Sequence, residues 1–141
     1  MTEQKREDNR IYNKNYYAQH KEYWRERAMK QKGNYIYKYI SVTGRIQYYI
    51  GSTNNLINRL FYHENGFSEI LDYIDGRDYI IAFTDLGDKV TRDERLFMEG
   101  NLIDKYNPIL NKRDAGIYNE ISLERKNELI ELADNIQWIE M

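Results

Sequence analysis

Apolar and polar positions along the chain separate into strand-like and helix-like stretches divided by glycine-bearing turns. Residues 34–42 (NYIYKYISV) set Tyr35, Tyr37 and Tyr39 against Ile36, Lys38 and Ile40, the two-residue period of a strand. Thr43-Gly44 is a turn signal, and Arg45–Ile50 reads as the returning strand of a hairpin that Gly51 ends. Residues 54–64 (NNLINRLFYHE) predict a short helix with Asn54 as its N-cap, and Ser68–Ile74 a second, closed by Asp75-Gly76. Asp78–Thr84 (DYIIAFT) predicts a buried central strand. Thr91-Arg92-Asp93-Glu94 has the form of a capping box, which opens a helix running to about Tyr106, and Pro108 stops it. The last helix starts at Ser122 and carries Leu129, Ile130, Ala133 and Ile136 on one face.

Ahead of the hairpin, residues 9–32 contain neither Gly nor Pro and predict a helix. Tyr12, Tyr16, His20, Tyr23 and Trp24 project to one side, Arg10, Lys14, Lys21 and Arg25 to the other. The aromatic side reads as a packing face, against the body or a second subunit; the basic side reads as a DNA-binding arm facing phosphates. The order β-β-α-α-β-α with flanking helices predicts an α+β fold. Its sheet is small, mainly antiparallel and three-stranded, with helices against it and an added helix at each end. The expected boundaries are 1–33 for the basic, aromatic arm, 34–112 for the main domain, and 113–141 for a C-terminal helix packing on the domain or on a partner.

Composition narrows the picture. A chain of 141 residues with 41% hydrophobic and 31% charged residues can build one core and is not a disordered polymer. No apolar run approaches the roughly 20 residues of a membrane helix, and the N-terminus lacks a secretory signal, so a cytoplasmic protein is expected. The absence of cysteine excludes disulfides, thiolate metal sites and cysteine nucleophiles. The net charge of −2 hides an asymmetry: residues 1–33 hold 9 Lys/Arg against 5 Asp/Glu, so the leading arm is basic and the body acidic.

The candidate chemistry lies in a constellation. Tyr37 sits on the first strand and Tyr49-Ile50-Gly51 closes the second; Arg59, His63, Glu99 and Asn111 follow. Arg59 and His63, four residues apart, share a helix face. Arg59 is a permanent planar cation suited to phosphate oxygens, and His63 can move protons near neutral pH. Glu99 is flanked by Leu96, Phe97, Met98, Leu102 and Ile103, and a carboxylate there is costly unless paired or metal-bound. A phenol titrates near ~10, so Tyr37 or Tyr49 needs a nearby cation to act as a base. The plainer alternatives are a surface ion pair for Arg59, a solvated residue for His63 or Glu99, and half-buried strand tyrosines.

This arrangement resembles the GIY-YIG nuclease family over roughly residues 34–112. The first motif reads Tyr35-Ile36-Tyr37, the second Tyr49-Ile50-Gly51, the helix motif NLINRLFYH and the last block EGNLIDKYNPILN. Tyr35 stands where the family has glycine. The resemblance implies a metal-dependent endonuclease that hydrolyses DNA phosphodiesters, leaving a 5′-phosphate and a 3′-hydroxyl. Glu99 would be the sole protein ligand of Mg²⁺, with Mn²⁺ as a substitute. Tyr37 would accept the proton of water, and Tyr49 would bind phosphate or relay a proton with His63. Arg59 would stabilise transition-state charge and Asn111 would be structural within the site. Lys38, Gly51 and Ser52 are expected near DNA. DNA is the expected partner, without a membrane or an organic cofactor. A homodimer is one arrangement that would supply two sites for a double-strand break. A small nuclease of a phage, mobile element or restriction-type system fits best. Two alternatives stay open: a nucleic-acid-binding module without turnover, and a nuclease directed at RNA or single strands.

Overall fold

The computed structural model describes residues 22, 32–64, 69–74, 77–111, 118 and 120–141. The hairpin forms as predicted. Strand β1 (Tyr35–Ser41) pairs antiparallel with β2 (Gln47–Thr53) and, on its other side, with β3 (Tyr79–Asp85). A two-residue strand β4 (Ile139–Glu140) adds to β3, giving the order β2-β1-β3-β4. The fold class is α+β with a mainly antiparallel sheet, as expected, but the sheet has a fourth strand. Two residues have no period to read, so their pairing with Ala82 and Phe83 is visible only in three dimensions.

The most buried strand is β1, not β3. All seven of its residues are buried, whereas Tyr79, Ile80 and Ile81 of β3 are half-buried. The Tyr/Ile alternation in β1 arises because both faces are covered. Tyr35, Tyr37 and Tyr39 pack with Leu56, Leu60, Ile70 and Ile74, while Ile36 joins Ile50, Met98, Leu102 and Leu129 on the opposite face. Fully burying a Phe-sized side chain is worth about 1.5–3 kcal/mol, so these three rings anchor the first face.

Helix α1 (Leu56–Glu64) starts one residue later than expected: Asn55, not Asn54, accepts from the backbone N–H of Asn58 at 3.2 Å and caps it. Its inner face is Leu56, Leu60 and His63. Helix α2 is Glu69–Ile74. Helix α3 (Arg92–Tyr106) has the full capping box, with Thr91 Oγ1 accepting from Glu94 N and Glu94 Oε1 accepting from Thr91 N. It ends at Asn107 in the left-handed conformation, ahead of Pro108. Helix α4 (Leu123–Asp134) is capped by Ser122. Its Leu129 and Ala133 are buried with α3 residues, so this apolar face is covered within the chain. Arg125 ties the two helices by its ion pair to Glu94 at 2.6 Å.

Segment 109–111 closes the outer edge of β2. Ile109 N donates to Gln47 O at 3.1 Å and Leu110 N to Tyr48 O at 2.9 Å. The predicted N-terminal helix, with Arg10, Lys14, Lys21 and Arg25, lies outside the described residues. Among the described residues, no helix is long and apolar enough to cross a membrane.

Candidate active site

Gly51 does not end β2. It lies within the strand, directly across from Tyr37, and Ser52 and Thr53 continue the pairing to Ile36 and Tyr35. A Cβ at position 51 would stand 2.5 Å from the Tyr37 hydroxyl oxygen and 2.9 Å from Tyr49 Cε1. Glycine here leaves room for the Tyr37 phenol to lie across the edge strand, a steric role. Gly51→Ala is therefore expected to push the phenol aside. It should destabilise the fold by about 1–3 kcal/mol. A urea melt that matches wild type would contradict this.

The displaced phenol meets His63. Tyr37 Oη and His63 Nε2 are 2.7 Å apart, and both side chains are buried. The rings of Tyr37, Tyr39, Tyr49 and Tyr62 surround the imidazole with centroids 5.6–5.8 Å away. That enclosure, and secondarily the Arg59 charge, lowers the His63 pKa to about 4. Burial, with Tyr49 adding to it and Arg59 opposing, pushes the Tyr37 hydroxyl far above its ordinary value. Both groups are thus neutral at pH 7. Between two neutral groups the hydrogen bond runs from phenol to Nε2 when the ring hydrogen sits on Nδ1, and from Nε2 to phenol in the other tautomer.

Tyr37, Tyr49, Ser52, Arg59 and Glu99 line one cleft of about 500 Å³, together with Asn34, Thr53, Asn54, Arg92, Arg95 and Leu96. It opens where β1 begins and β2 ends, the end of the hairpin away from its turn. Tyr37 and Tyr49 approach from one face of the sheet and Glu99 from α3 on the other. Glu99 is only 6% exposed, and its Oε2 accepts from Ser52 Oγ at 2.7 Å. Ser52 therefore orients the carboxylate, a role beyond the DNA contact expected of it. Asn111 acts on the backbone: its Oδ1 accepts from Ile50 N at 3.0 Å and its Nδ2 donates to Ile50 O at 2.9 Å. That two-point clamp fixes β2 beside Gly51.

Lys38 is not in the cleft. It points to the opposite sheet face, where its ammonium lies 4.1 Å from the Trp138 ring centroid and burial lowers its pKa. The structure thus shows it packed on Trp138, away from the cleft-lining residues. Conversely, Arg92, Arg95 and Asn34 escaped the sequence reading. Arg95 and Glu99 are four residues apart and Arg92 lies three before Arg95, so the helical period alone places all three on the side of α3 that carries the carboxylate.

No family model and no curated protein matches the chain. The chain is similar to solved GIY-YIG endonuclease domains. One is the N-terminal endonuclease domain of UvrC from Thermotoga maritima bound to magnesium. It is 24% identical, with 62% of this chain and 93% of that chain covered and a TM-score of 0.48. Another is a point mutant of the same domain bound to its catalytic divalent cation. It is 23% identical, with 63% and 94% covered and a TM-score of 0.49.

The cleft offers a divalent cation one carboxylate, that of Glu99. No group of three or more His, Cys, Asp or Glu side chains that could hold a metal exists among the described residues. Glu99, a buried carboxylate oriented by the Ser52 hydroxyl, is the cleft side chain that could ligate a divalent cation, whose other positions would fall to water and substrate oxygens.

Proposed function

We propose that the chain is a GIY-YIG-type endonuclease that hydrolyses DNA phosphodiesters with a divalent cation, leaving 5′-phosphate and 3′-hydroxyl ends. The observation that carries this reading is the convergence of the Tyr37–His63 pair, Arg59 and the Glu99 carboxylate at one cleft. The motif positions in the sequence support the same reading. A phage, mobile-element or restriction-type setting is the context it fits.

Hydrolysis needs a proton acceptor for water, positive charge at the phosphoryl oxygens and stabilisation of the leaving 3′ oxygen. The acceptor is the phenol–imidazole pair and not Tyr37 alone, because burial opposes a free phenolate. As water attacks phosphorus, its proton passes to the phenol oxygen while the phenol's own proton moves to His63 Nε2. Arg59 holds the non-bridging oxygens, and the Tyr49 hydroxyl positions the same phosphate. Glu99 would hold the cation, Mg²⁺ or in its place Mn²⁺, oriented by Ser52. When bound, the cation supplies Lewis-acid stabilisation of charge on the leaving oxygen.

A pH dependence follows. Protonated His63 cannot accept from Tyr37, and its pKa is held near 4 instead of 6.5. kcat/KM, which reports free-enzyme groups, should stay level from neutral pH down through the ordinary imidazole value and fall only towards pH 4. An acid limb centred near 6.5 would contradict the assignment. The unfolded chain takes up this proton first, so folding stability should decline as pH drops from about 6.5 to about 4 and level off below that.

The function is tested on matched duplex DNA, single-stranded DNA and RNA with Mg²⁺ or Mn²⁺. DNA fragments that a ligase rejoins without end repair are the expected products. Cleavage of RNA alone, or of no substrate, would overturn the proposal.

A further inference from the structure

The cleft carries more positive charge than one phosphodiester can balance. Arg59, Arg92 and Arg95 line it, and Glu99 is the acidic residue among its lining. This local excess occurs in a chain whose net charge is −2. Each phosphodiester brings a single negative charge, and the positive end of the α3 dipole adds to the excess. The acidic residues of the first turn do not relieve it: Glu94 is held by Arg125 and Thr91, and neither it nor Asp93 lines the cleft.

Arg95 is the second observation. It is 6% exposed, an unusual degree of burial for an arginine. Its Nη1 donates to Asn34 Oδ1 at 3.0 Å. Asn34 is fixed in turn by donating Nδ2 to Gly87 O at 2.9 Å and Val90 O at 3.0 Å. The guanidinium is therefore pre-oriented from the loop that leads into α3. Its Nε has no hydrogen-bond partner among the described residues. Nε itself is sealed from the cleft, so a phosphate oxygen would compensate the guanidinium charge through the part of Arg95 that lines the cleft. Burial first, then the charges of Arg92 and Arg59, act against the Arg95 cation; Glu99 offsets part of this, and a further anion in the cleft would offset more.

We propose that Arg95 and Arg92 form a second phosphate subsite, which binds the backbone phosphate next to the scissile one held by Arg59. The proposal rests on the nuclease reading above and assigns the substrate a minimum length: two adjacent phosphates must occupy the cleft together. Arg92 and Arg95 are binding residues here, and the chemical step belongs to the Tyr37–His63 pair and Glu99.

The test is binding of a fluorescently labelled DNA duplex in EDTA, read by anisotropy over roughly 50–300 mM salt, the range in which counterion release dominates affinity. Wild type is compared with Arg92→Gln and Arg95→Gln, each checked for folding by thermal melting. Arg92 is exposed, so its variant keeps the test alive if Arg95→Gln fails to fold. The slope of log K against log salt should shrink by about 0.9 for each arginine removed. Cleavage at saturating enzyme should change far less than the affinity does. Wild-type binding with unchanged slopes in the folded variants overturns this subsite alone. Wild type that does not bind DNA overturns the subsite and the nuclease reading together.

Discussion

Glu99→Gln is expected to abolish cleavage while leaving DNA binding intact. The substitution keeps the shape of the side chain and a carbonyl oxygen for the Ser52 hydroxyl, now 2.7 Å from Oε2. What it removes is the charge that would hold the cation. Metal stabilisation of a leaving oxygen is worth several kcal/mol, and each 1.36 kcal/mol is tenfold in rate. The single-turnover rate should thus fall by about 10³-fold or more. Binding should be equal or tighter, since a negative charge has left a cleft lined by three arginines. Residual cutting near the wild-type rate would remove Glu99 from the site. Equal losses of cutting and binding would point to a collapsed cleft instead.

Tyr37→Phe is expected to have the next largest effect, and its coupling to His63 is more informative than its size. Phe keeps the ring that fills the space over Gly51 but strands a buried imidazole nitrogen. A stability loss of about 1–3 kcal/mol is expected from that unsatisfied group. The rate should fall about 10²–10⁴-fold, the range for loss of a general base. His63→Ala breaks the same relay at its other end. The double variant should therefore be little worse than the poorer single one, because the pair acts as a unit. Losses that multiply would show two independent roles and return the proton to Tyr37 alone. Single-turnover rates for the four proteins complete the cycle.

Much of the fold and part of the site were legible in the sequence. The hairpin and the Thr91–Glu94 box were legible because their determinants are local: a strand period, a turn dipeptide and a cap whose partner is three residues away. The Tyr37, Arg59 and Glu99 positions were legible through their motif spacing. Gly51 was misread because glycine more often punctuates a strand than sits inside one, and only the cross-strand register places the Tyr37 ring over it. The packing of Lys38 was not legible for a related reason. Its partner, Trp138, is distant in sequence and arrives on the segment that forms β4. Arg95 looked like an ordinary helical arginine, and its burial depends on Asn34, 61 residues earlier. The proposed acceptor pair was half legible. Tyr37 and His63 were both named, but the hydrogen bond that joins them depends on how α1 packs on β1.

The central claim is that one cleft, built on Glu99 and the Tyr37–His63 pair, cuts DNA. Its most direct test is supercoiled plasmid incubated with purified wild type or Glu99→Gln, each with Mg²⁺ and with EDTA. The account predicts nicked and then linear plasmid with wild type and Mg²⁺, and intact plasmid in the other three reactions. Conversion in EDTA, or by Glu99→Gln at the wild-type rate, would contradict it.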